Sequence, residues 1–144
     1  MAGKMLKLFA FNQHVIEVNG RRMENFAKGD DVVGITVRED TFSDETGADG
    51  NMMVYLSADE SVEVMLKFLH GASENDFLKR QFDLFKSGEI EGINVSVWNT
   101  RDGTGEVSRL GYIKKIPDNM RGNKAGNREW AIVCPRMDDQ GATA

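Results

Sequence analysis

Apolar and polar residues alternate with a period of two over much of this chain, in short stretches broken by turn residues. His14-Val15-Ile16-Glu17-Val18 runs into Asn19-Gly20, the pair that best tolerates the positive φ angles of a type I′ hairpin turn. Arg21 to Phe26 is therefore expected to return as a second strand. Val32 to Arg38 is rich in β-branched residues and reads as another. From Val62 to Leu69, Val62, Val64, Leu66 and Phe68 alternate with Glu63, Met65, Lys67 and Leu69. One segment changes period. Leu78, Phe82 and Phe85 recur at four and three residues and make a helical stripe, with Lys79, Arg80 and Asp83 on the other face. Ser73 is the expected N-cap, Glu74 and Asp76 fall in the first turn where the helix dipole favours carboxylates, and Ser87-Gly88 is a stop signal. Strands resume at Ile93 to Trp98, turn through Asn99 to Gly105, and return as Val107 to Ile116. A last strand, Glu129 to Met137, sets Trp130, Ile132 and Cys134 against Ala131 and Val133.

Seven short strands and one helix predict a mainly β fold. The expected form is a β-sandwich or partly closed barrel with the helix flanking an open end or edge. Residues 1–144 fit a single domain, long enough to bury a core without staples. Asp40 to Asn51 and Pro117 to Asn127 are expected to be irregular, and connections of about 12 residues exceed the usual length and tend to be functional. Asp138 to Ala144 is expected as a flexible tail. Trp98 and Trp130 both lie in strands and are expected in the core.

Charge sharpens this picture because it is uneven. From Glu39 to Glu63 there are eight carboxylates and no Lys or Arg, a formal charge of −8. From Arg109 to Arg128, six cations face a single Asp118, a formal charge of +5, in a chain whose total is −5. Each charged block contains one of the two long loops. The acidic loop residues Asp40, Asp44, Glu45 and Asp49, and the basic residues Arg109, Lys114, Lys115, Arg121, Lys124 and Arg128, therefore form two candidate contact surfaces of opposite sign. Complementary potentials speed encounter and fix register, and a repeating head-to-tail contact builds rings or filaments.

Other chemistry finds little support. Cys134 is the only cysteine, which excludes an intrachain disulfide. His14 and His70 have no second histidine nearby. EF-hand loops started at Asp40 or Asp44 place Asn51 or Tyr55 where a glutamate is required. Gly103-Thr104-Gly105 and Gly122 to Gly126 lack the lysine and hydroxyl of a phosphate loop and read as turns. No catalytic residue, cofactor or metal is expected. No apolar run approaches the ~20 residues of a membrane span, and Met1 to Met5 carries no secretory apolar segment, so folding in a cytoplasm is expected. The acidic balance argues against a general nucleic-acid coat.

Gly47-Ala48-Asp49-Gly50, the alternating strand at Val62 to Leu69, the helix opening near Ser73-Glu74-Asn75, and Asn127-Arg128-Glu129-Trp130-Ala131-Ile132-Val133-Cys134 follow one another in the order of a known family. In these segments the chain resembles, from about Ala10 to Asp138, the tail tube proteins encoded beside the tail sheath in contractile-tailed bacteriophages. It departs from them at Ala72-Ser73-Glu74, where a Ser-Pro pair is expected, and in the polar approach Asn123 to Asn127. The resemblance implies a non-enzymatic virion protein assembled in the host cytoplasm. Six protomers would form a ring, and stacked rings would make the inner tube through which DNA is ejected. It implies contacts with the tail sheath, baseplate and tail terminator proteins, and passage of the tape measure protein and phage DNA without sequence-specific binding. The acidic loop would reach the next ring and the basic segment would receive it. Glu17 and Glu63, on polar strand faces, are candidates to line the lumen. A terminator, baseplate ring or secretion-system tube would share this design. A monomeric β-sandwich that binds calcium through the acidic loop, or sugar through Trp98 and Trp130, is the alternative of a different class.

Overall fold

The computed structural model describes residues 14–29, 32–101, 103–117 and 127–140. Among them the strands are β1 (His14–Val18), β2 (Arg21–Arg22), β3 (Val33–Val37), β4 (Phe42–Thr46), β5 (Met52–Leu56) and β6 (Val62–Phe68). The helix α1 (Ser73–Lys86) follows, then β7 (Ile93–Asn99), β8 (Gly105–Ile113), β9 (Arg128–Cys134) and β10 (Asp138–Gln140). The fold is mainly β, with antiparallel pairing throughout and one flanking helix, as the sequence pattern requires.

The main sheet has the order β2-β1-β7-β8-β9-β6-β3, with β10 paired to β8 beside this path. Its two halves share one core. Ile16 and Val18 of β1, Val64, Leu66 and Phe68 of β6, Ile93 and Val95 of β7, and Trp130 and Ile132 of β9 belong to one buried cluster. The sheet must therefore fold back on itself, and β8 makes the bend. It pairs with β7 up to Gly111 and with β9 only through Tyr112 and Ile113. At the bend, Arg109 and Leu110 together oppose Asn94, a β-bulge in which Leu110 takes φ 61°.

At one end the chain itself bridges the two halves. Asn19 and Gly20 have φ of 50° and 83°, as the predicted turn demands. The return strand is shorter than expected, however: only Arg21 and Arg22 pair with β1. Asn25, at φ 58°, then turns the chain toward β6, where Phe26 stacks on Phe68 at 4.9 Å and the Ala27 N–H donates to the Lys67 carbonyl. A short polar side chain tolerates this left-handed geometry, and here it is anchored, donating from Nδ2 to both Glu74 carboxylate oxygens at 3.1 and 3.3 Å.

The helix docks through polar as well as apolar residues. Leu78 is fully buried, Phe77 and Phe82 pack against the core, and Phe85 is exposed and stacks on Tyr112. Glu74, Asn75 and Gln81 are also buried. Glu74 accepts from Asn25 and Ser73, and Arg21 lies 4.0 Å away. Asn75 accepts from Trp130 Nε1 at 2.9 Å and donates to the Leu69 and His70 carbonyls. Ser73 is not the N-cap; Ala72 holds that position without a side-chain cap. The Asn75 amide and the Arg21 to Ser73 hydrogen bond tie down that end instead.

Three further expectations change. Asp40 to Asn51 is not irregular, because β4 and the turn into β5 occupy most of it. Asp138 to Gln140, expected in a flexible tail, pairs with Gly105 to Val107. Trp98 is half-buried on the sheet face opposite the core, its ring close against Gly105, where a Cβ would stand 2.8 Å from the indole. Most of the Pro117 to Asn127 segment, Asp102, and residues 141–144 lie outside the described residues.

Candidate functional site

Strands β4 and β5 form a separate two-stranded sheet, and all ten of their residues are exposed. The register sets Phe42 opposite Leu56, Asp44 opposite Val54 and Thr46 opposite Met52. Paired residues share a face, so Phe42, Met52, Val54 and Leu56 lie on one side of the hairpin, together with Asp44 and Thr46. Phe42 is 63% exposed and Leu56 71%. The other side carries Ser43, Glu45, Met53 and Tyr55, with the Tyr55 hydroxyl donating to Glu45 at 3.2 Å. Asp49 holds the tip by accepting from the Asn51 backbone and side-chain N–H groups, while the Gly47 N–H donates to the Asn51 carbonyl. The arm is thus internally ordered, yet an isolated two-stranded hairpin is marginal in water. Contiguous apolar surface of this kind marks an interaction site.

The body carries a complementary feature. Between β1 and β3, where the sheet does not close, lies an open groove of about 970 Å³. Ile16, Phe26, Val33, Ile35 and Val97 line it, with Arg22 and Lys28 among its polar lining residues. β2 and β3 end the strand order, so each leaves an edge without a strand partner among the described residues. Such edges attract other strands unless covered.

The acidic candidates meet on the arm: Asp44 and Glu45 on β4, Asp49 at the tip and exposed Asp40 just before the first strand. The basic candidates divide. Arg109, Lys114 and Lys115 are exposed on and just after β8. Arg128 is half-buried at the start of β9, donating to the Pro117 carbonyl at 3.4 Å while its Nε is buried without a partner among the described residues. Arg121 and Lys124 lie outside the described residues. Glu17 and Glu63 alternate with the buried Ile16, Val18, Val62 and Val64, so both project from the non-core face of the main sheet.

Among the described residues no three His, Cys, Asp or Glu side chains are grouped to hold a metal ion, and no helix is long and apolar enough to cross a membrane. Burial raises the Cys134 thiol above its ordinary pKa. Asp59 is held below the usual carboxylate value, chiefly by hydrogen bonding to Ser61. The sequence pattern missed both the arm's strands and the groove.

The model of one family, described as bacteriophage PhiTE tail tube protein, matches residues 18–141. No curated protein matches the chain. Among solved structures, the chain is similar to one from the anti-feeding prophage tube-terminating cap, at 8% identity and TM-score 0.65, with 99% of this chain and 97% of that chain covered. It is also similar to one from the sheath/tube terminator of the extracellular contractile injection system PVC, at 14% identity and TM-score 0.66, covering 96% and 100%. A chain of the PVC sheath-tube complex matches at 13% identity and TM-score 0.60, covering 94% and 93%. At these identities the likeness is one of fold.

Proposed function

The chain belongs to the bacteriophage PhiTE tail tube protein family, and from that premise we propose that it is the inner tube subunit of a contractile tail. Its role is structural rather than enzymatic. Six copies form a ring, rings stack into a tube, and the sheath surrounds the tube in the virion. The observation that carries this reading is the exposed β4–β5 arm on a body whose sheet has free edges. An arm that buries its apolar face only against another copy, and edges that pair only between copies, describe a subunit built for assembly.

The arm reaches the next ring, and its carboxylates Asp40, Asp44, Glu45 and Asp49 are drawn by a cationic surface there. Arg109, Lys114 and Lys115 supply part of that field. Glu17 and Glu63 face the lumen, where negative charge keeps DNA phosphates from sticking as the genome and the tape measure protein pass. Baseplate and terminator proteins close the two ends.

A terminator or cap is the second reading, favoured by the fold likeness to two terminating proteins. Negative-stain microscopy of the concentrated full-length chain separates them. Long hollow tubes are the expected result. Single rings that never stack would assign the terminator role, and a persistent monomer would reject both.

A further inference from the structure

We infer that the apolar face of the β4–β5 hairpin seats in the β1–β3 groove of a second copy of this chain. This rests on the reading of the hairpin as an inter-ring arm and names the surface that receives it. Two apolar features without cover among the described residues occur on one protomer: a hairpin face bearing Phe42, Met52, Val54 and Leu56 around Asp44 and Thr46, and a groove floored by Ile16, Phe26, Ile35 and Val97. The arm of this copy is exposed over its whole length, so it does not fill the groove of its own body.

Size and charge agree. Two five-residue strands make a ribbon roughly 17 Å long and about 5 Å between strand axes. An open groove of about 970 Å³ admits one face of such a ribbon. The segment from Asp40 to Leu56 carries Asp40, Asp44, Glu45 and Asp49 and no cation. Among the described residues the groove lining contributes Arg22 and Lys28 against Glu24, with His14 also titratable; Asp30 and Asp31, between the lining residues Gly29 and Val32, lie outside the described residues. Such a contact joins two different surfaces of identical chains. It is heterologous, and it repeats without limit along an axis.

The experiment uses two full-length variants. Leu56→Asp spoils the arm and leaves the groove intact; Ile35→Trp fills the groove and leaves the arm intact. Each alone is expected to stop stacking at the ring or the monomer, raising the concentration needed for tubes roughly tenfold or more, as loss of one buried aliphatic side chain implies. Mixed one to one, they retain one good arm and one good groove. The mixture is expected to sediment as a pair of the units that each forms alone, and to grow no further. Arg22→Glu with Lys28→Glu, both at exposed positions, repeats the groove test without touching apolar packing; circular dichroism checks that every variant is folded. If Leu56→Asp stops stacking while both groove variants stack like the parent, the seat lies elsewhere and the inference is wrong, though the arm reading survives. If Leu56→Asp stacks normally, the arm reading falls with it. A groove variant that destabilises the isolated protomer yet stacks normally would assign the groove to another segment of the same chain and also overturn the inference.

Discussion

Replacing Asn75 with alanine tests how the helix is held to the sheet. Asn75 is 7% exposed, and its Oδ1 accepts from Trp130 Nε1 at 2.9 Å across 55 residues of sequence. Its Nδ2 donates to the Leu69 and His70 carbonyls at 2.9 and 3.1 Å. After Asn75→Ala the Leu69 carbonyl keeps the Ala72 N–H as donor, but the Trp130 N–H, on a side chain 1% exposed, loses its acceptor. A buried donor left unsatisfied costs about 1–3 kcal/mol, and the lost bonds to carbonyls add about 1 kcal/mol, so the expected destabilisation is about 2–4 kcal/mol. For a domain of this size that lowers the melting temperature by about 6–12 °C. The assay is urea and thermal unfolding at concentrations too low for assembly, because self-association would add its own stability. Trp130→Phe supplies the control. It removes the indole donor, so Asn75→Ala made in that background should cost at least about 1 kcal/mol less than in the parent. An equal cost in both backgrounds would show that the Asn75–Trp130 bond does not hold the helix, and the argument from the buried network would fail.

Three other outcomes follow from the same geometry. Lys114→Glu with Lys115→Glu, both exposed, should slow tube elongation several-fold at low ionic strength and much less in 1 M salt, where screening shortens to about 3 Å; light scattering follows the rate. Cys134 is fully buried and its thiol pKa is raised by that burial. A thiol reagent at pH 8 should therefore leave the native chain unmodified for hours and react within minutes once urea unfolds it. Gly105→Ala puts a Cβ 2.4 Å from the Val97 carbonyl oxygen and 2.8 Å from the Trp98 ring. Because the nearest atom is backbone of the paired strand, unfolding should show a loss of about 1–3 kcal/mol; a neutral result would mean β7 and β8 separate there without cost.

The core of this fold is legible because one-sided burial writes a period into the sequence. Val62 to Phe68 alternates buried and half-buried residues without a break, as its composition predicts. The Asn19-Gly20 turn is equally local, since its φ angles depend on two residues. The arm is hidden for the opposite reason. Neither face of β4 and β5 is covered by the protomer, so Phe42-Ser43-Asp44-Glu45-Thr46 carries no alternation to detect. β10 is polar throughout and pairs with β8. Burial of Glu74, Asn75 and Gln81 was invisible because their partners Asn25, Trp130 and Asn19 stand 49 to 62 positions away. For a carboxylate at a helix start, the dipole argument predicts solvent exposure, and tertiary hydrogen bonding overrides it. The groove has the same origin: its walls come from the two ends of the sheet order, which local sequence does not bring together.

An exposed hairpin with Phe42, Val54 and Leu56 on one face would, on apolar area alone, pair with any other copy of itself. That contact is symmetric, and it closes as a dimer instead of extending. The arm carboxylates Asp40, Asp44, Glu45 and Asp49, with no cation between Asp40 and Leu56, make it unfavourable, because two arms face to face bring like charges together. The same charges would cost less in the proposed receiving groove, whose described lining holds Arg22 and Lys28 beside Glu24. Exposed ion pairs are worth at most about 1 kcal/mol each, so they do not supply the affinity. In the proposed contact, affinity would come from the apolar face, and charge would select which of the available apolar surfaces it meets. Such a division of labour would account for a strong charge asymmetry on a segment that also exposes Phe42, Met52, Val54 and Leu56.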